Sequence, residues 1–151
     1  MPAERAQVVP RAFVGAAARA VLVHTVVMLV HGVAHAQLKV QLSAWANIYV
    51  LCIVGIGPIA GLFLLRSGRQ RTGATILVVT MTGALLFGLW KHLLAHGPDH
   101  VMDLQAGPWK LPFQVTALLL GVSESAGAVV AFMLLYELTR QARARSRERN
   151  Y

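Results

Sequence analysis

The sequence predicts an all-α membrane protein, an antiparallel bundle of four transmembrane helices, and three observations carry that reading. Of its 151 residues 56% are hydrophobic and 13% charged, with a mean hydropathy of +0.58, too apolar for an ordinary soluble domain. The apolar residues gather into four stretches, each about as long as the roughly 20 residues that cross a hydrocarbon core. The formal net charge of +8 comes from arginines beside those stretches and in the last dozen residues, where a membrane surface explains them better than nucleic acid does. The expected partners are therefore the lipid bilayer and a membrane protein or second copy, with no nucleic acid.

The first helix is expected over residues 12–36, the second over 45–65, the third over 74–94 and the fourth over 113–136. Lys39, Gln41 and Ser43 break the first apolar run, and Arg66 to Arg71 makes a short basic turn, so neighbouring helices should be antiparallel. The third connection, Gly97 to Pro112, holds three of the six prolines with Asp99, His100, Asp103, Trp109 and Lys110, and is the loop large enough to build a site. Gly55, Gly57, Pro58 and Gly61 should bend or loosen the second helix. On the fourth, Gly121, Ser125 and Ala128, with Ser123, Gly127 and Ala131, repeat small residues at the spacing of close helix contact. Residues 1–138 form the transmembrane domain, and residues 139–151, with arginine at 140, 143, 145, 147 and 149, form a basic cytoplasmic tail that should be frayed or disordered.

Cations near helix ends stay cytoplasmic, and all eleven arginines fall on one side of this topology against Lys39, Lys91 and Lys110 on the other. Both termini are expected inside. Trp45, Trp90 and Trp109 all fall at outer helix ends, where an indole suits the headgroup layer. The alternative for the first helix is a secretory signal cleaved after Ala36. Its length, and Arg19, His24 and His31 within it, argue for a retained helix.

All six histidines lie in two windows: His24, His31 and His35 in the first helix, His92, His96 and His100 at and beyond the end of the third. At about 100° per residue His31 and His35 fall about 20° to either side of the line through His24, so one face carries all three. His92 and His96 are likewise expected to share a face, at a depth similar to His31 and His35. The two H-x-x-A-H segments lie 61 residues apart, which hints at duplicated hairpins. Paired imidazoles at i, i+4 on two helices would supply four nitrogen ligands, a set suited to a transition metal such as zinc, copper or iron. Asp99, His100 and Asp103 could add a ligand or orient the histidines through their second ring nitrogen. The alternatives are haem b, held by one axial histidine from each helix in an electron-transfer subunit, and a structural subunit whose histidines only pack.

At the membrane midplane, Glu124 is an acid far from any helix end, and His24 lies at the right depth to pair with it. A proton relay or inner ion site is the functional reading of that pair. A neutral acid bonded to Ser123, Ser125 or a backbone carbonyl is the packing alternative. The single cysteine, Cys52, excludes an internal disulfide, and no phosphate loop or nucleophile elbow occurs, so hydrolytic chemistry is unsupported.

The run Gly83-Ala-Leu-Leu-Phe-Gly-Leu-Trp-Lys-His92, followed by Pro98-Asp-His-Val101, resembles small bacterial four-helix membrane proteins in which a glycine-apolar-histidine run leads into a D-H-V turn. The resemblance covers about a quarter of the chain. It implies four helices in a bacterial inner membrane and no particular activity.

Overall fold

The structure, a computed structural model, describes residues 11–148. Among them are four helices long and apolar enough to cross a membrane, and no strand: α1 (Arg11–Gln37), α2 (Ala44–Arg66), α3 (Gln70–Leu94) and α4 (Lys110–Glu148). The expected role of Arg5 and Arg149 falls outside the described residues.

Local chemistry sets the helix ends. Past Gln37 the backbone N–H groups of Leu38 and Val40 close back on the Ala34 and His35 carbonyls, and Lys39 takes the left-handed conformation that reverses the chain (φ 55°). Ser43 then caps α2, its Oγ accepting from the Ala46 N–H at 3.3 Å. The expected loosening of α2 takes the form of π-helical winding over Val50–Ile56, with α-helix resuming at Gly57 just before Pro58. α3 also turns π-helical, over Trp90–Leu94, and Ala95 leaves the helix in an extended conformation (φ −87°, ψ 113°).

One expectation is corrected in α4. The frayed tail expected after residue 138 is helical to Glu148. Alanine and arginine are good helix formers, and Glu137 holds Arg140 and Gln141 one turn further on.

α4 packs along both α1 and α3, α3 along α2, and α1 touches α2 less extensively. At one end of the bundle Ala17, Val21, Leu65, Leu77, Leu134 and Leu138 close an apolar plug drawn from all four helices. At the other end Ala34, Leu104 and Phe113 form a smaller core, with the 95–109 connection folded onto it. The close approach of α2 to α3 depends on glycine: a Cβ at Gly73 would lie 2.5 Å from the Leu65 backbone nitrogen, and one at Gly57 would strike Thr80. Of the two small-residue stripes on α4, Gly127 faces Met81 of α3. Gly121 meets open space and Ser125 is exposed.

Candidate metal centre

His31 and His35 stand one turn apart near the end of α1, and His92 sits in the terminal π-helical turn of α3. Their rings are in mutual contact, with centroids 4.8 Å apart for His31–His35, 5.0 Å for His31–His92 and 5.9 Å for His35–His92. The fully buried ring of Phe113, at the start of α4, contacts all three. One ring nitrogen from each histidine lies within 4.8 Å of those of the others, a group that could hold a metal ion.

Hydrogen bonds orient two of the three rings. Donation of the Thr116 hydroxyl to the Pro112 carbonyl at 2.7 Å leaves its oxygen free to accept from His31 Nδ1, 2.8 Å away. His92 Nδ1 lies 3.0 Å from the backbone oxygen of Asp99, which can only accept, so that nitrogen also carries the proton. His35 Nδ1 faces the Asp99 carboxylate at 3.5 Å. All three rings thus turn Nδ1 toward an oxygen, and His31 Nε2 is buried without a hydrogen-bond partner. Orientation of metal-binding imidazoles through the second nitrogen follows the same pattern.

Asp99 is buried, and its carboxylate stands between His35 and Lys91, whose Nζ is 3.8 Å away. Its loop is held down further by Val101 N–H to the His92 carbonyl at 3.0 Å, Gln114 Nε2 to the Val101 carbonyl at 2.8 Å, and Lys110 Nζ to the Leu104 carbonyl at 3.2 Å. The third connection therefore covers the histidine end of the bundle.

The expectation that His96 shares a face with His92 is corrected. The helix ends at Leu94, so the 100° periodicity no longer applies two residues later, and the His96 side chain is 84% exposed. His96 and His100 turn instead to Asp103 Oδ2, at 3.2 and 3.3 Å, and form a second group that could hold an ion. The hydrogen bond from His96 holds the Asp103 carboxyl below its ordinary pKa. His100 lies with this second group and not with the three-histidine one, and Asp99 lies beside the first.

Deeper in the bundle His24 and Glu124 are both buried, with His24 Nδ1 3.7 Å from Glu124 Oε1. His24 Nε2–H donates to the Val54 carbonyl at 2.9 Å. That carbonyl lacks its usual helical donor because Pro58, four residues on, has no N–H. The serines offered by sequence as partners for Glu124 donate to carbonyls of their own helix, Ser123 to Leu120 and Ser125 to Gly121. A cavity of about 280 Å³ is lined by residues of both sites, among them His31, His35, His92 and Glu124.

Phe113, Thr116 and Lys91 are the site residues that sequence reasoning missed. A threonine one turn into a helix signals only back-bonding to its own helix, and Lys91 reads as an interfacial cation. Comparison with known protein families, curated proteins and solved structures finds no match.

Proposed function

We propose that the chain is an integral protein of a bacterial inner membrane, four antiparallel helices with both termini cytoplasmic. In this reading it binds a transition-metal ion, zinc, copper or iron, on His31, His35 and His92 near the outer face, for transport, sensing or assembly of a partner complex. One observation carries the metal reading: three touching imidazoles whose Nδ1 atoms all face oxygen atoms, with one ring nitrogen from each within 4.8 Å of the others in one half-buried group. Three protein nitrogens with a position to spare is the ligand count of exchangeable or reactive zinc sites. The membrane reading is supported by the outer surface. Leu22, Leu29, Phe63, Leu86, Leu118 and Tyr136 are all more than 60% exposed, as suits a solvent of lipid tails. Ring contact between α1 and α3 favours a bare ion over haem, since axial ligands must stand apart on either side of a porphyrin plane.

Metal analysis and an absorption spectrum of protein purified in detergent test this reading. The expected result is one tightly held ion per chain without a Soret band. His31→Ala, His35→Ala and His92→Ala should each lose most of it, and Asp99→Asn should weaken it by about 10- to 100-fold by disorienting His35. Unchanged occupancy in all three alanine variants rejects the constellation. A Soret band would favour the haem subunit, and neither metal nor haem would leave a structural subunit.

A further inference from the structure

His96, His100 and Asp103 lie in the turn beyond α3, outside the three-histidine group, and their bonding is unsatisfied in a specific way. His100 Nε2 donates to the Leu93 carbonyl at 3.2 Å. That carbonyl is open because the helix stops at Leu94 and supplies no N–H from the next turn. With Nε2 carrying the proton, His100 Nδ1 holds the lone pair of the neutral ring. The residue is 8% exposed, and Nδ1 is buried with no hydrogen-bond partner. What Nδ1 faces is another lone-pair atom, Asp103 Oδ2, 3.3 Å away. Two acceptors at that distance repel unless positive charge lies between them. His96 hydrogen-bonds the same oxygen through its own Nδ1 at 3.2 Å, from a side chain that is 84% exposed.

We propose that His96, His100 and Asp103 form a second cation site, separate from the three-histidine centre, that takes a divalent transition-metal ion through two imidazoles and one carboxylate. One ligand atom from each lies within 4.8 Å of the others, and two nitrogens with one oxygen is a donor set that zinc and iron(II) accept. The site is more exposed than the first, so it exchanges its ion faster and holds it less tightly. The two sites share a chain segment: His92 donates to the Asp99 carbonyl and its own carbonyl accepts from the Val101 N–H, both at 3.0 Å, so the residues on either side of His100 are bonded to a ligand of the inner centre. On the orientation proposed above, an ion arriving from outside meets the loop site first, and that site serves as the capture point.

Titration of the full-length protein in detergent with zinc chloride, followed by calorimetry, tests the proposal, with cobalt(II) absorption reporting ligand type. The wild type should bind two ions per chain with distinct affinities. His96→Gln combined with Asp103→Asn should abolish the weaker binding, or lower it at least about tenfold, and leave the tighter ion in place. His31→Ala should do the reverse, so failure of the inner centre and failure of the loop site give different results. Both changed loop side chains are exposed or half-exposed and are replaced by amides of similar shape. Circular dichroism and size-exclusion profiles matching wild type confirm the fold. A single ion in the wild type that is indifferent to the loop variant would mean that only a His100–Asp103 ion pair exists, and overturns the proposal. Loss of both ions in the loop variant overturns the separateness of the sites.

Discussion

His31, His35 and His92 differ from His24 in where their second nitrogen points, and spacing alone does not carry that information. The periodicity that put His24, His31 and His35 on one face was legible because α1 is regular throughout its length. The placement of His96 was not, because the turn before it is π-helical and the chain leaves the helix at Ala95. Gly97-Pro98 was the available signal that periodicity would fail there. The depth match of His24 with Glu124 was also legible. What the structure adds is the direction of each ring, with His24 Nε2 committed to Val54 and Nδ1 left toward the carboxyl. A bare carboxylate in apolar surroundings is unfavourable by several kcal/mol, so the pair retains a proton. Replacing Glu124 by Gln keeps the shape and removes the exchangeable proton. The variant is expected to fold and to keep the three-histidine ion, while the carbonyl stretch of a buried protonated carboxyl, seen in wild-type infrared difference spectra under pH change, disappears. An identical spectrum in the variant would show that the carboxyl takes no part in proton exchange.

At the scale of the element, α2 and α3 are shaped by residues that sequence reading could flag without resolving. Gly55, Gly57, Pro58 and Gly61 announced an irregular α2, yet not that its carbonyl at Val54 would become the acceptor for a histidine on α1. The glycines have unequal roles, which only packing reveals. At Gly73 a Cβ would meet backbone atoms, Leu65 nitrogen at 2.5 Å and Gly61 oxygen at 2.7 Å, and backbone cannot move aside as a flexible side chain can. Gly73→Ala therefore forces α2 and α3 apart and should lower stability by about 1–3 kcal/mol, the usual range for overpacking. Gly121 meets nothing within 4 Å, so Gly121→Ala should be neutral or slightly stabilising through helix propensity. Thermal unfolding in one detergent, monitored by circular dichroism, compares the two. A Gly73→Ala variant as stable as wild type would show that the close α2–α3 contact does not hold the bundle together.

Across the whole molecule, charge and packing divide the bundle into two unlike ends. The exposed arginines Arg11, Arg66, Arg69 and Arg140 fall at the end closed by the apolar plug of Ala17, Leu65, Leu77 and Leu138. Five of the six histidines, the long connection and the exposed Trp45 and Trp90 fall at the other. The three lysines, Lys39, Lys91 and Lys110, lie at the histidine end, opposite those arginines. If arginine is retained in the cytoplasm, the candidate metal centre faces outward and must draw its ion from the outer compartment. Reporter fusions decide this. Fusions after Tyr151 and within the Arg66 to Arg71 turn should stay cytoplasmic, and one within the Gly97 to Pro112 connection should be exported. A fusion in that connection also reports directly on the compartment that His96, His100 and Asp103 face, since they lie in or beside it. Export of the C-terminal fusion would reverse the bundle, turn both histidine groups toward the cytoplasm, and replace capture of an external ion with binding from the cytoplasmic pool.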